Sequence, residues 1–362
     1  MPSSDRIQLI VNGQKVENFL SYRVEADIYK ADHAFSFRFS DTSSQIAPGS
    51  RCDLRVNDVL AMTGLIDKVT RGGERSGVML RAEGRDLMGL LVDSCCETFP
   101  TLKDKTLSEI ATTLLSNVPF IQRSAIVYEQ DVVGTMAGPR PDGRSTLSQL
   151  SATGCEPAHK YAQIEPGMTI FEALKQYAMS RGLLFFGLPN GTFVFGRPKA
   201  AGAPAYSIVV SKRDPSRNNA VRASFKDDIS RRYSKVTVIG QRQGRETDGV
   251  NGAASINTSA TVTDSTFPFY KPFVRTNNDD EFSPPTYARL IMERQRAEGF
   301  ELHYRVPGHT QKGKAWTINE LCRVQDDVAG LDGVYLIFGR AFELSREGKY
   351  TILRLGLPGL VR

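Results

Sequence analysis

The residues of this 362-residue chain that could do chemistry are few and poorly grouped. Its four histidines are His33, His159, His303 and His309. Cys155 and His159 form a C-x-x-x-H pair in a polar stretch, but a closed zinc site needs a second pair of ligands, and none stands nearby. His303 and His309 flank Pro307-Gly308 without an H-E-x-x-H frame. Three acidic clusters, Asp227-Asp228, Asp279-Asp280-Glu281 and Asp326-Asp327, could serve as acid–base pairs or calcium ligands. None has the EF-hand order, and solvated turns account for them better. No G-x-S-x-G elbow is present, and Gly64, Gly72-Gly73 and Gly84 read as hairpin glycines rather than a phosphate loop. These patterns predict no catalytic residue, no metal site and no cofactor. Trp316, the single tryptophan, is the one candidate of another kind. Tryptophan is enriched at interface hot spots, so Trp316 is a candidate anchor for a subunit contact, with a place in the core as the equal alternative.

Composition narrows the classes further. A net charge of +6 and a pI near 9.0 allow a basic patch but do not demand nucleic acid, since charge must cluster to act as a phosphate footprint. Apolar content of 40% and charged content of 24% are ordinary for a globular protein, and the length suggests two to four domains. No apolar run approaches the ~20 residues of a membrane span, and the start, Met1-Pro2-Ser3-Ser4-Asp5-Arg6, lacks a signal-peptide core. Cys52, Cys95, Cys96, Cys155 and Cys322 are odd in number and scattered, which fits reduced thiols made in a reducing cytoplasm.

The elements that must carry these residues are mostly strands. Ile7 to Val11 is a short strand ending at the hairpin signal Asn12-Gly13. Phe35, Phe37 and Phe39 alternate with Ser36, Arg38 and Ser40, and Cys52, Leu54 and Val56 alternate with Asp53, Arg55 and Asn57. Ile66 to Ala82 reads as a hairpin turning at the glycine-rich Arg71 to Gly77, and Leu87, Leu90 and Leu91 then sit at helical spacing. Two capping boxes, Thr106 to Glu109 and Thr169 to Glu172, open helices, and Gly182 stops the second. A hairpin follows at 183–195, while 134–160 reads as a long loop. Thr286 to Glu298 is a basic helix with Ala288, Ile291 and Met292 as its stripe, and a final hairpin spans 336–355.

An internal repeat is the sharpest observation. Val24 to Ile28 precedes Phe35-Ser36-Phe37, and Phe225 to Ile229 precedes Val236-Thr237-Val238 at the same distance. Each copy then places a cysteine-bearing strand, at Cys52 or Cys322, before a hairpin with a charged glycine turn. The fold class expected is β-rich α+β: two similar antiparallel β-barrel domains, a mixed α+β middle domain and an inserted arm with its helix. The expected bounds are 1–97 for the first barrel, 98–204 for the middle domain, 205–243 plus 300–362 for the second barrel, and 244–299 for the insertion.

Four stretches resemble a known family: Pro48 to Cys96, Met168 to Pro198, Tyr287 to Val306, and Gly308 through Trp316 to Val324. In this order they are similar to the baseplate hub (tail tip) proteins of contractile-tailed phages, of the Mu-like 43 kDa tail protein type. They are also similar to the late-control and type VI spike hub regions. The resemblance implies a structural protein without enzyme activity, located in the virion tail baseplate after synthesis in the host cytoplasm. It implies a homotrimer whose paired barrels give pseudo-sixfold symmetry, with the central spike, the tail tube and other baseplate proteins as partners. The rivals are the hub portion of a type VI-like spike, which would typically continue into a β-helix, and a tail-associated cell-wall hydrolase, for which no catalytic module is visible. A carbohydrate-binding β protein would need loop aromatics, whereas most here alternate inside strands.

Overall fold

The computed structural model describes residues 5–40, 46–74, 77–100, 105–122, 125–128, 164–243, 255–277 and 284–362. Cys155, His159, Asp279-Asp280-Glu281 and the long loop expected at 134–160 lie outside these residues.

In chain order the first third holds β1 (Ile7–Val11), β2 (Gln14–Val16), β3 (Phe19–Asp27), β4 (Ala34–Phe39), β5 (Arg51–Val56), β6 (Val59–Glu74), β7 (Gly77–Asp86) and α1 (Met88–Asp93). The middle holds α2 (Leu107–Leu114), β8 (Val127–Tyr128), α3 (Ile170–Ser180), β9 (Leu184–Gly187) and β10 (Phe193–Gly196). Then come β11 (Tyr206–Val210), β12 (Arg222–Asp227), β13 (Lys235–Gln243), β14 (Ser255–Thr263), β15 (Pro272–Asn277) and α4 (Pro284–Gly299). The chain finishes with β16 (Phe300–Pro307), β17 (Thr310–Gln311), β18 (Lys314–Ala315), β19 (Glu320–Asp326), β20 (Leu331–Ser345) and β21 (Gly348–Gly356).

Local chemistry explains most of these elements. In β4 the three phenylalanines are buried while Arg38 faces water, and in β5 Cys52, Leu54 and Val56 are buried in the same alternation. Both capping boxes form. Thr106 and Thr169 accept from the N–H groups of Glu109 and Glu172, whose carboxylates accept in return from the cap N–H groups. Each cap satisfies helix-end donors that would otherwise be orphaned, typically ~1 kcal/mol apiece. Gly182, at φ +71°, ends the turn after α3 as expected.

The main sheet has 13 strands and contains two runs with one strand order. The first run is β1-β5-β6-β7-β4-β3, and the second is β11-β19-β20-β21-β16-β12. The correspondence extends to register. Cys52 lies opposite Gly64 as Cys322 lies opposite Tyr335. The β6–β7 ladder slips between Ile66 and Lys68, and the β20–β21 ladder slips between Ile337 and Gly339. One junction differs, since β1 meets β5 antiparallel while β11 meets β19 parallel. No ladder among the described residues closes either run on itself, so each is described as a sheet.

The expected repeat is half right in register. Val24 faces Phe35 on β4, and Phe225 faces Leu302 on β16, so 24–28 and 225–229 are equivalent segments. The strand equivalent to β4 is therefore β16, not the strand at 236–238. That strand, β13, pairs with β14 and β15 in a separate sheet whose Val236 and Val238 pack on Ala288 and Met292 of α4. Val-Thr-Val alternation marks any half-buried strand, so periodicity could not separate β13 from β16.

One core runs under both halves and includes Val24, Phe37, Leu54, Tyr304, Cys322 and Phe342. A second core joins α1, α2 and α3 to the β9–β10 hairpin. The middle region docks on the main sheet through Thr63 N–H to the Pro189 carbonyl at 2.8 Å, and α3 docks on the end of α1 through Ile170 N–H to the Ser94 carbonyl at 2.9 Å. Where β6 crosses β7 the backbones close to contact. A Cβ on Gly84 would run into the Leu65 carbonyl oxygen and the Phe35 ring. Gly84→Ala should cost about 1–3 kcal/mol in urea unfolding, as overpacking against backbone does. A change below ~0.5 kcal/mol would show that the crossing yields.

Candidate functional site: the seam between the two sheets

The two runs meet where β3 pairs antiparallel with the second half of β20, from Asp27 opposite Gly339 to Tyr22 opposite Leu344. The outward faces of the pair are laced by charge. Arg23 binds Glu25 and Glu343, and Arg354 reaches Asp27 at 2.7 Å. Beyond the last pair, Ile28 N–H donates to the Phe338 carbonyl at 3.0 Å, and the Tyr29 hydroxyl donates to the Leu360 carbonyl at 2.9 Å.

A buried polar cluster closes one end of the seam. Asp5, 5% exposed, precedes β1 and reaches across to the loop after β16. One carboxylate oxygen accepts from the N–H groups of His309 (2.5 Å) and Thr310 (3.1 Å). The other accepts from the Thr310 hydroxyl (2.8 Å) and the Asn57 amide (2.9 Å). The Lys349 ammonium donates to the Asp5 carbonyl. His309 is fully buried, with Nε2 at 2.8 Å from the Tyr22 hydroxyl and Nδ1 at 3.1 Å from the Thr351 hydroxyl. The Thr351 hydroxyl donates to the Gly308 carbonyl at 2.5 Å, so Nδ1 carries the proton toward Thr351 and Nε2 accepts from Tyr22. Burial pulls the His309 pKa down to about 4, against the opposing pull of the Asp5 charge. Burial likewise raises the Tyr22 hydroxyl, which stays a donor.

Arg340, on the β20 segment that pairs with β3, is a buried cation, 1% exposed. It donates to the Trp316 carbonyl at 3.3 Å and to the Ala61 carbonyl of β6 at 3.5 Å, and its guanidinium lies 3.9 Å from the Phe342 ring centre. It therefore ties the second run to the first from the inside. Burial lowers its pKa, yet a guanidinium remains charged at neutral pH.

The residues singled out by sequence fall in different places. His309 is the node just described. His33 is buried between the Asp86 carboxylate (2.9 Å) and the Asp27 carbonyl (3.2 Å) and braces the start of β4. His303 sits at the surface 3.3 Å from Glu301. Asp228 caps a turn by accepting from Ser230 N–H at 2.8 Å. Asp326 accepts from Tyr304 and from the Val328 and Ala329 N–H groups, and Asp327 accepts from Lys212 N–H. Trp316 is 2% exposed and stacks on Tyr206 with ring centres 4.5 Å apart. Cys52 and Cys322 are buried, and burial pushes both thiols up to about 12. Among the described residues, no group of three His, Cys, Asp or Glu side chains is placed to hold a metal. Sequence reasoning missed Asp5 and Arg340. Asp5 carried no signal, but Arg340 did: it is a lone charge between apolar neighbours in a run, 336–342, buried on both faces.

The depressed His309 pKa links the seam to pH. The unfolded imidazole titrates near 6.5 and the folded one near 4, so the unfolded chain binds more protons between those values. The stabilisation is full above pH 6.5, falls as pH drops toward 4, and reaches a loss of about 3 kcal/mol. In urea unfolding, the advantage of the native chain over His309→Gln should shrink by about that amount from pH 7 to pH 4. Parallel pH profiles would remove His309 from the account.

The fold is shared with phage tail proteins. Residues 6–86 match the family described as Mu phage baseplate assembly protein GpP-like, N-terminal. Residues 232–284 match the third domain of NMB1110-like tail proteins, and 294–357 match the C-terminal domain of the same tail proteins. Together these matches cover more than half of the chain. The baseplate hub protein gp44 of Escherichia phage Mu is 24% identical over 288 residues, which is 78% of this chain and 67% of gp44. The crystal structure of a tail protein from Neisseria meningitidis MC58 superposes with a TM-score of 0.75 at 26% identity, covering 99% of this chain and 98% of that one. The 43 kDa tail protein of prophage MuSo2 from Shewanella oneidensis gives a TM-score of 0.73 at 21% identity over 97% and 98% of the two chains. The matched domains, in this order along one chain with the fold they share, make this chain a member of the Mu-like phage tail and baseplate hub proteins.

Proposed function

We propose that this chain is a structural subunit of a contractile-tail baseplate hub, without enzyme activity. Three copies form a ring in which each chain contributes two near-equivalent, barrel-like units, so that three subunits imitate six. Such a ring adapts a sixfold tail tube to a threefold central spike, with the other baseplate proteins around it. Its place is the tail baseplate of a virion or prophage particle assembled in the host cytoplasm.

The observation that carries the reading is the doubled strand order with its doubled slip in register, at Ile66/Lys68 and Ile337/Gly339. A joint between sixfold and threefold partners needs matching patches at matching angles, and a duplicated unit within one chain supplies six from three. The units we assign are 1–97 and 205–234 with 300–362, the middle domain is 98–204, and 235–299 is inserted, in place of the 205–243 and 244–299 bounds expected from sequence. The pairing of β13 with β14 and β15 moves 235–243 to the inserted part. Trp316 contributes to assembly through the shell it supports around Tyr206 and Arg340, because its own ring is covered.

Mass measurement in solution tests the reading. Light scattering across a concentration series, with and without a spike partner, should give three times the 40.0 kDa chain mass. A monomer under every condition would contradict the ring. A peptidoglycan zymogram should stay blank, and a clearing band would restore the hydrolase alternative.

A further inference from the structure

The seam inside the chain is a template for a seam between chains. β3 pairs with β4 on one side and lays its other edge on the second half of β20. The equivalents of β3 and β20 are β12 and β6, and among the described residues nothing pairs with the corresponding edge of either. Among the described residues β12 pairs only with β16, and all six of its residues are exposed. β6 pairs with β5 as far as Leu65, after which β7 alone accompanies it among the described residues, and Lys68, Thr70, Arg71, Gly72 and Gly73 are exposed. β20 behaves identically. It pairs with β19 as far as Ile337, and beyond that point β3 takes the vacated side. The point of departure is marked by the same bond in both runs: Gly49 N–H to the Ile66 carbonyl at 2.7 Å, and Asn319 N–H to the Ile337 carbonyl at 2.8 Å.

We infer that β12 of one chain adds antiparallel to the free edge of β6 in the next chain, with Asp228 opposite Lys68, Phe225 opposite Arg71 and Ser224 opposite Gly72. The register is copied from the internal seam, where Asp27 faces Gly339, Val24 faces Phe342 and Arg23 faces Glu343. The inference rests on the ring reading and adds the surface that builds it. Unpaired N–H and C=O groups along an exposed edge are a template for another strand, and native proteins keep such an edge bare where a partner uses it. The occupant is a second copy because the partner edge that fits β12 is the one this chain itself carries. The contact is head-to-tail, so it closes only by forming a ring. Its chemistry is complementary. Lys68 now holds Glu83 loosely at 3.9 Å and Asp228 holds Lys226 at 4.0 Å, so opposite charges meet across the new pair. Gly72 and Gly73 face Ser224 and Ala223, small residues that let two backbones approach.

Cysteine pairs read the register. Gly72 has open space for a side chain and an ordinary φ. Gly72→Cys with Ser224→Cys in one chain, and separately Thr70→Cys with Lys226→Cys, should give covalent trimers under mild oxidation for most of the protein. The wild-type chain, the single variants and the pair shifted by one residue, Gly73→Cys with Ser224→Cys, should remain at background, because a one-residue shift turns the side chains to opposite faces. Thermal melting checks that each variant folds, and two independent pairs guard against loss of either one. Trimers by light scattering without cross-linking at either pair would overturn this interface and leave the ring reading standing. Monomers throughout would overturn both.

Discussion

Everything in this protein depends on one strand edge being satisfied inside the chain. The β3 edge is satisfied by β20, and this one ladder converts two sheets of the same design into a continuous surface with a fixed angle between its halves. Backbone pairing sets the angle because register and twist are inflexible once both faces are packed. The core confirms the dependence, since Val24 and Phe37 from the first run share one apolar cluster with Tyr304 and Phe342 from the second. Sliding the seam by one residue would turn Tyr22 and Val24 outward, and with them the hydroxyl that holds His309.

Buried polar groups add uniqueness to that junction. A carboxylate, an imidazole and a guanidinium are buried around the seam with the half-buried Lys349 ammonium beside them, and each finds partners from the opposite run or the loops nearby. Desolvating them costs several kcal/mol per charge, and only the intended arrangement repays it. Apolar packing alone tolerates many small adjustments, whereas the four bonds to Asp5 tolerate almost none.

Much of this was legible in the residues. The alternation of Phe35, Phe37 and Phe39, the cysteine-bearing strands, both capping boxes and the closing hairpin all appear where their patterns place them, because each is decided by near neighbours in the chain. The equivalence of Val24 and Phe225 was legible too. Its continuation was not, since the inserted sheet and α4 displace the true partner strand to 300–307, and a Val-Thr-Val run looks alike in either setting. The seam itself was hidden. Asp5 and His309 are 304 residues apart, and nothing local tells a surface aspartate from one aimed into a distant loop. Arg340 alone betrayed its position, as a charge inside a doubly buried run.

The central claim is that one chain carries two interchangeable copies of the same joint. Electron microscopy of the assembled ring viewed down its axis tests this most directly. Three chains should appear as six lobes of near-equal density spaced evenly around the axis. Three lobes, or six lobes unequally spaced, would contradict the account.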